Sequence, residues 1–127
     1  MKKFNRFQRF FYWSFRKIYI IMSGVKPGVY IQNFNHVYIG DNVRIAPGVK
    51  IISRNHNVQD VSRHDEYKDI HIENNCWIGA NTVILPGITL GENTIVGAGS
   101  VVTKSFVDGY CIIAGNPAKL IRKLDKT

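Results

Sequence analysis

From Cys76 to Lys104 the chain reads CWIGANTVILPGITLGENTIVGAGSVVTK, and a branched aliphatic returns at every sixth position: Ile78, Ile84, Leu90, Val96, Val102. Ile72 belongs to the same run, and Ile39, Ile45 and Ile51 form an earlier one. A helix repeats its apolar face about every 3.6 residues and a half-buried strand about every 2, so neither accounts for a period of six. A short strand followed by a sharp turn does, if the aliphatic points inward each time. Coils of such units stack like residue on like residue and build a continuous apolar spine.

The other hexad positions agree with that reading. Gly40, Ala46, Gly79, Gly91 and Gly97 follow the aliphatic directly, where the chain turns and backbones approach closely. Small or β-branched residues stand four places after it: Val43, Val49, Cys76, Thr82, Ile88, Thr94 and Ser100. Asp41-Asn42, Glu73-Asn74 and Glu92-Asn93 supply residues tolerant of tight turns.

The two runs are out of step. Between Ile51 and Ile72 lies SRNHNVQDVSRHDEYKD, residues 53–69, which is polar and has lost the aliphatic repeat. A long polar excursion from a rigid solenoid is a candidate functional loop. Three segments follow: a basic-aromatic one over residues 1–26, expected to be helical, a solenoid over 27–107 carrying the loop, and a C-terminal piece over 108–127. In the last, YCIIAGNPAKLIRKL predicts a strand and then a helix, with Asn116 as N-cap and Pro117 in its first turn.

At 127 residues, 45% of them hydrophobic, the chain has room for one domain with a real core. Its net charge of +8 is placed unevenly. Lys2, Lys3, Arg6, Arg9, Arg16, Lys17 and Lys26 all precede the first acid, Asp41, and the rest is nearly balanced. The near-neutral solenoid argues against nucleic acid as a partner. The segment 1–22 has neither the cleavage site of a secretory signal nor about 18 uncharged apolar residues in a row. It reads either as an amphipathic helix in peripheral contact with a membrane or as one packed on the domain or a partner subunit. The two cysteines, Cys76 and Cys111, have no CxxC spacing and fit a reducing cytoplasm.

The motifs IGDNVRIAPGVKI, NNCWIGANTVILPGITLGENTIVGAGSVVTK and AGNPAKLIRK together resemble the hexapeptide-repeat acyltransferases. The resemblance is nearest to sugar O-acetyltransferases of the maltose, galactoside and nodulation type, and it spans roughly residues 29 to 123. It implies an all-β, left-handed parallel β-helix of triangular section and a homotrimer with active sites between subunits. It also implies an acetyl-coenzyme A-dependent transfer to a saccharide hydroxyl, a precursor of a cell-surface polysaccharide being one such acceptor, with no metal. His56 falls at the place of the family's catalytic histidine, and Asn33, in NFN, at that of an acceptor-site asparagine. Ala80, Ala98, Thr103, Lys104 and Arg122 fall on the positions that bind the acyl donor. The family often has serine at position 80, so the alanine there retains only a backbone contact.

The chemistry suits these residue types. Acetyl transfer from a thioester needs a base for the hydroxyl proton, and a histidine near neutrality can take it and pass it to the departing thiolate. His64, beside Asp65 on the same loop, competes with His56; His36 lies near Asn33, and His71 is expected to face outward. Lys104 and Arg122 can pair with the donor's phosphates. Trp77 is out of phase with the spine and faces outward, either to stack on a sugar or to cover an intersubunit surface. Two other readings remain open: transfer to an amine, and a metal-dependent lyase of the γ-carbonic anhydrase type, whose histidine spacing this chain does not match.

Overall fold

The computed structural model describes residues 26–126. The expected basic-aromatic helix therefore lies outside the described residues, save for Lys26. Four short strands, β1 (Tyr30–Ile31), β2 (Val37–Ile39), β3 (Arg44–Ile45) and β4 (Lys50–Ile51), precede the loop. After it come β5 (Ile70–Ile72), β6 (Trp77–Ile78), β7 (Val83–Ile84), β8 (Thr89–Leu90), β9 (Thr94–Val96) and β10 (Val101–Val102). The chain closes with β11 (Cys111–Gly115) and β12 (Ala118–Lys123).

From β1 to β10 each successive strand joins the next of three sheets, so the chain winds as a three-sided parallel β-helix. The first face is β1-β4-β7-β10, the second β2-β5-β8, and the third runs β3-β6-β9-β11-β12. The six-residue period is the advance from one face to the next, and three hexads make one coil. Thus Ile72 pairs with Leu90, Ile78 with Val96 and Ile84 with Val102. Across the loop the same columns continue: Ile39 pairs with Ile72, Ile45 with Ile78 and Ile51 with Ile84. The excursion is spliced in at one edge of the prism, and the pairing above and below it keeps its register.

The expected spine is the core. Ile51, Ile78, Ile84, Leu90 and Val102 are wholly buried, and Ile72 and Val96 nearly so. The positions four residues after the aliphatics form a second inward column, with Val49, Cys76, Thr82, Ile88, Thr94 and Ser100 all buried. Its hydroxyls are satisfied by corner carbonyls, Thr94 Oγ1 donating to Gly91 at 2.7 Å, Ser100 Oγ to Gly97, and Thr82 Oγ1 to Gly97 of the next coil at 3.3 Å.

Corner chemistry differs from edge to edge. Where the second face turns into the third, Asn42, Asn75 and Asn93 all take positive φ, between 54° and 60°. Asn42 Nδ2 donates to Asn75 Oδ1 at 2.9 Å, a rung between successive coils. Asparagine enters this left-handed region at less cost than other side chains. Where the third face turns into the first, Gly48 follows Pro47 with φ 77° and fills the same need.

The C-terminal helix is not there. Residues Ala118–Lys123 form β12, which returns along β11 in antiparallel register, Gly115 opposite Ala118 and Ile112 opposite Arg122. Asn116 is a turn residue, not an N-cap. One side of β11 pairs with β9; its other side would expose a row of unpaired backbone groups, and β12 covers it. That demand outweighs the capping signals.

Candidate active site

The edge between the first and second faces gathers most of the polar chemistry. The turn after β1 lies here, with a 3-10 helix at Phe34–His36, and so do the loop after β4 and the turn after β10 that carries Thr103 and Lys104. Asn33 caps the 3-10 helix with φ 48° and accepts the Asn35 N–H on its Oδ1 at 3.0 Å. A non-glycine residue at positive φ beside a polar loop is held there by its surroundings.

Gln32 ties the loop to this turn. Its Oε1 accepts the backbone N–H of Ser53 at 3.1 Å and of Arg54 at 3.0 Å, while Ser53 Oγ donates to the Gln32 carbonyl at 2.7 Å. The far end of the loop is anchored by rings. Tyr67 stacks on His36, centroids 4.3 Å apart and 3° from parallel, and the Arg54 guanidinium lies 4.7 Å from the Tyr67 centroid. His36 Nδ1 stands 2.6 Å from Asp69 Oδ1. Hydrogen bonds to Asn33 first, and then to Arg54, hold the Tyr67 phenol below its ordinary pKa. Asn33, Arg54, His36, Tyr67 and Asp69 therefore form one connected patch. The sequence reading missed Arg54 and Tyr67; the signal available was a single tyrosine in a largely polar insertion.

Beyond the patch the loop forms a narrow antiparallel ribbon. His56 and His64 face each other across a bridge, the Asn57 N–H donates to the Arg63 carbonyl at 2.8 Å, and Asp65 N–H to that of Asn55 at 3.0 Å. Asn57 turns the tip by accepting the N–H groups of Gln59 and Asp60 on its Oδ1, at 2.9 and 3.1 Å. Asp60 accepts from the Ser62 hydroxyl and N–H, which hold its carboxyl below the usual range.

His56 has a defined tautomer. Its Nδ1 is 2.8 Å from the Val61 carbonyl oxygen, and a carbonyl can only accept, so Nδ1 carries the hydrogen. In the neutral ring Nε2 then holds the lone pair. That is the state a general base requires. The side chain is exposed, open to a substrate.

The other expected residues lie elsewhere on the prism. Ala80 and Ala98 meet at the edge between the third and first faces, where Gly99 N–H donates to the Ala80 carbonyl at 2.7 Å. Trp77, 54% exposed, stands on the outside of the third face as expected. Ile95 and Ile112 continue its row as far as Arg122 on β12. Thr103 and Lys104 share the loop's edge, and Lys104 Nζ sits 5.5 Å from the Phe106 ring centroid. Within a single copy, then, Asn33, His56, Thr103 and Lys104 follow one edge, Ala80 and Ala98 another, and Trp77 and Arg122 the face opposite the loop.

Among the described residues no three His, Cys, Asp or Glu side chains gather as a metal site. The histidines have other partners: His36 has Asp69 and Tyr67, His56 has His64, and His71 stacks on Tyr38 at 4.7 Å between centroids. Among those residues no helix is long and apolar enough to cross a membrane.

Residues 69–104 match the family model described as bacterial transferase hexapeptide (six repeats). The galactoside O-acetyltransferase of Escherichia coli K12 is 42% identical over 92 residues, covering 70% of this chain and 45% of that protein. That of Lactococcus lactis is 36% identical over 108 residues, covering 77% and 51%. The chain spans about half the length of these relatives. Among solved structures, a galactoside acetyltransferase in complex with coenzyme A superposes with a TM-score of 0.70 at 33% identity, over 80% of this chain and 62% of that one. A maltose O-acetyltransferase from Clostridium difficile 630 gives 0.67 at 29%, over 77% and 64%. The coils share the left-handed winding of these structures.

Proposed function

The chain belongs to the hexapeptide-repeat acyltransferases, and from that premise we propose that it moves an acetyl group from acetyl-coenzyme A to a hydroxyl of a saccharide. His56 is the general base. Its Nδ1–H is engaged by the Val61 carbonyl, and its Nε2 takes the proton of the attacking hydroxyl. The acceptor oxygen adds to the thioester carbonyl, a tetrahedral oxyanion forms, and the carbon–sulfur bond breaks. The imidazolium then returns its proton to the departing thiolate. No covalent enzyme intermediate is needed, because two substrates held in line suffice.

The observation that carries this reading is the fixed tautomer of an exposed histidine on the long loop that leaves the coil. The names of the relatives support the acceptor class, and the coenzyme A complex among the similar structures supports the donor. Asn33 contributes to the acceptor site, beside Tyr67 and Arg54. Ala80, Ala98, Thr103, Lys104 and Arg122 take the donor, the two cations pairing with its phosphates, and Trp77 borders the cleft. Because these groups stand on different edges of one copy, the complete site forms between copies, in a homotrimer. The acceptor is a polysaccharide precursor, brought near a membrane surface by residues 1–22.

Thiol release from acetyl-coenzyme A, measured against a panel of galactosides, maltose and amino sugars, tests the reading. His56→Ala should lower turnover by ~10²–10⁴, the range for loss of general-base assistance, with coenzyme A affinity unchanged. A His56→Ala protein that turns over at the parental rate would remove His56 from the mechanism.

A further inference from the structure

We propose that His64 is a positioning residue for His56, bracing the ring of the base so that its free nitrogen keeps facing the substrate. The proposal rests on His56 being the base. The two residues stand directly opposite on the antiparallel ribbon, so their side chains project from the same side of it. Their ring centroids are 4.2 Å apart and their planes 34° from parallel, which is van der Waals contact.

Two constraints thus act on the His56 ring. The Val61 carbonyl, at 2.8 Å from Nδ1, sets which nitrogen is free. A hydrogen bond to one ring atom still leaves the imidazole able to swing about that contact. The flat face of His64 limits the swing on an otherwise exposed loop.

The other polar side chains of the ribbon are engaged elsewhere. Arg63 Nε lies 3.3 Å from Asp60 Oδ2 at the tip. Asp65 Oδ1 accepts from Asn57 Nδ2 at 3.0 Å, and Arg54 Nε donates to the Asp65 carbonyl at 2.6 Å, at the base of the ribbon. It is His64 that lies against the His56 ring.

His64→Phe keeps a flat ring against His56, and His64→Ala removes it. In His64→Ala the rate of thiol release, measured with acetyl-coenzyme A and an accepted galactoside, should fall about tenfold or more with the KM for acetyl-coenzyme A unchanged, and His64→Phe should restore it to within a fewfold of the parent. Ring nitrogen resonances of the full-length protein, with His56 assigned by comparison with His56→Ala, report the tautomer without any substrate. His56 should show the Nδ1–H form in the parent and in His64→Phe, and a mixture of tautomers in His64→Ala. A parental rate or a parental His56 signature in His64→Ala overturns the proposal. Because the tautomer is read without turnover, it stays decisive if no acceptor in the panel is used.

Discussion

Gly79 lies against the backbone of the next coil at Ala98: a Cβ on Gly79 would stand 2.6 Å from the Ala98 nitrogen and 2.7 Å from the Val96 carbonyl oxygen. Neither atom can move without disturbing the sheet, since Gly79 N–H donates to that carbonyl at 2.8 Å. Gly79→Ala should therefore destabilise the fold by about 1–3 kcal/mol, the usual cost of forcing a methyl into a packed interior. A lowered urea midpoint with an unchanged slope is the expected result, and a parental midpoint would show that the coils can part here.

Cys76 should be inert while the protein is folded. Burial, more than any other influence, raises its thiol from 9.0 to about 11, and Sγ donates to the Gly91 carbonyl at 3.2 Å. Since the thiolate is the reactive form, a disulfide reagent at pH 8 should label Cys76 only after denaturation. The linkage has a definite sign. The unfolded thiol ionises first, so Cys76 favours the folded state below pH 9 and that contribution is lost as pH rises toward 11. Replacing Cys76 with Ser should flatten this alkaline decline in the urea midpoint.

How far the sequence anticipates the structure depends on what each residue answers to. The spine residues, from Ile72 to Val102, answer to other branched aliphatics one coil away, so periodicity reveals fold and core together. Trp77 is placed outside by its phase relative to that spine, whereas His56 stands in a loop without the repeat and is assigned only through the family resemblance. The end of the chain was misread because Asn116, Pro117 and the cations after them carry helix-start and helix-end signals. Those local preferences yield to the open side of β11, a partner that no window around residue 118 contains. Arg54 and Tyr67 were missed for a related reason: their contacts run to Asn33 and His36, in the coil before the loop.

Tyr67 gives that patch a test. Removing its hydroxyl takes away the group hydrogen-bonded to Asn33 and Arg54 but leaves the ring stacked on His36. Tyr67→Phe should raise the acceptor KM about tenfold, in keeping with one lost hydrogen bond to a charged partner. Its coenzyme A affinity should equal the parent's. An unchanged acceptor KM would make the patch an anchor for the loop and nothing more.

Lys104→Ala and Arg122→Ala should each weaken coenzyme A binding, and what remains should depend less on salt, because exposed charge pairs are screened. Calorimetry at two ionic strengths reads both effects. If either variant binds as the parent does, that side chain serves its own element alone, as a cation beside Phe106 or along the outer strand.

The loop leaves and re-enters the prism at a single edge while Ile39, Ile45 and Ile51 find Ile72, Ile78 and Ile84 as though nothing lay between them. Gly40 N–H donates to the Ile72 carbonyl at 2.7 Å across the splice, just as Glu73 N–H donates to that of Leu90 at 2.9 Å where no splice exists. The coil counts faces, not residues. The excursion can therefore be lengthened or exchanged without breaking the register of the coils, and the architecture separates what can diversify from what must not.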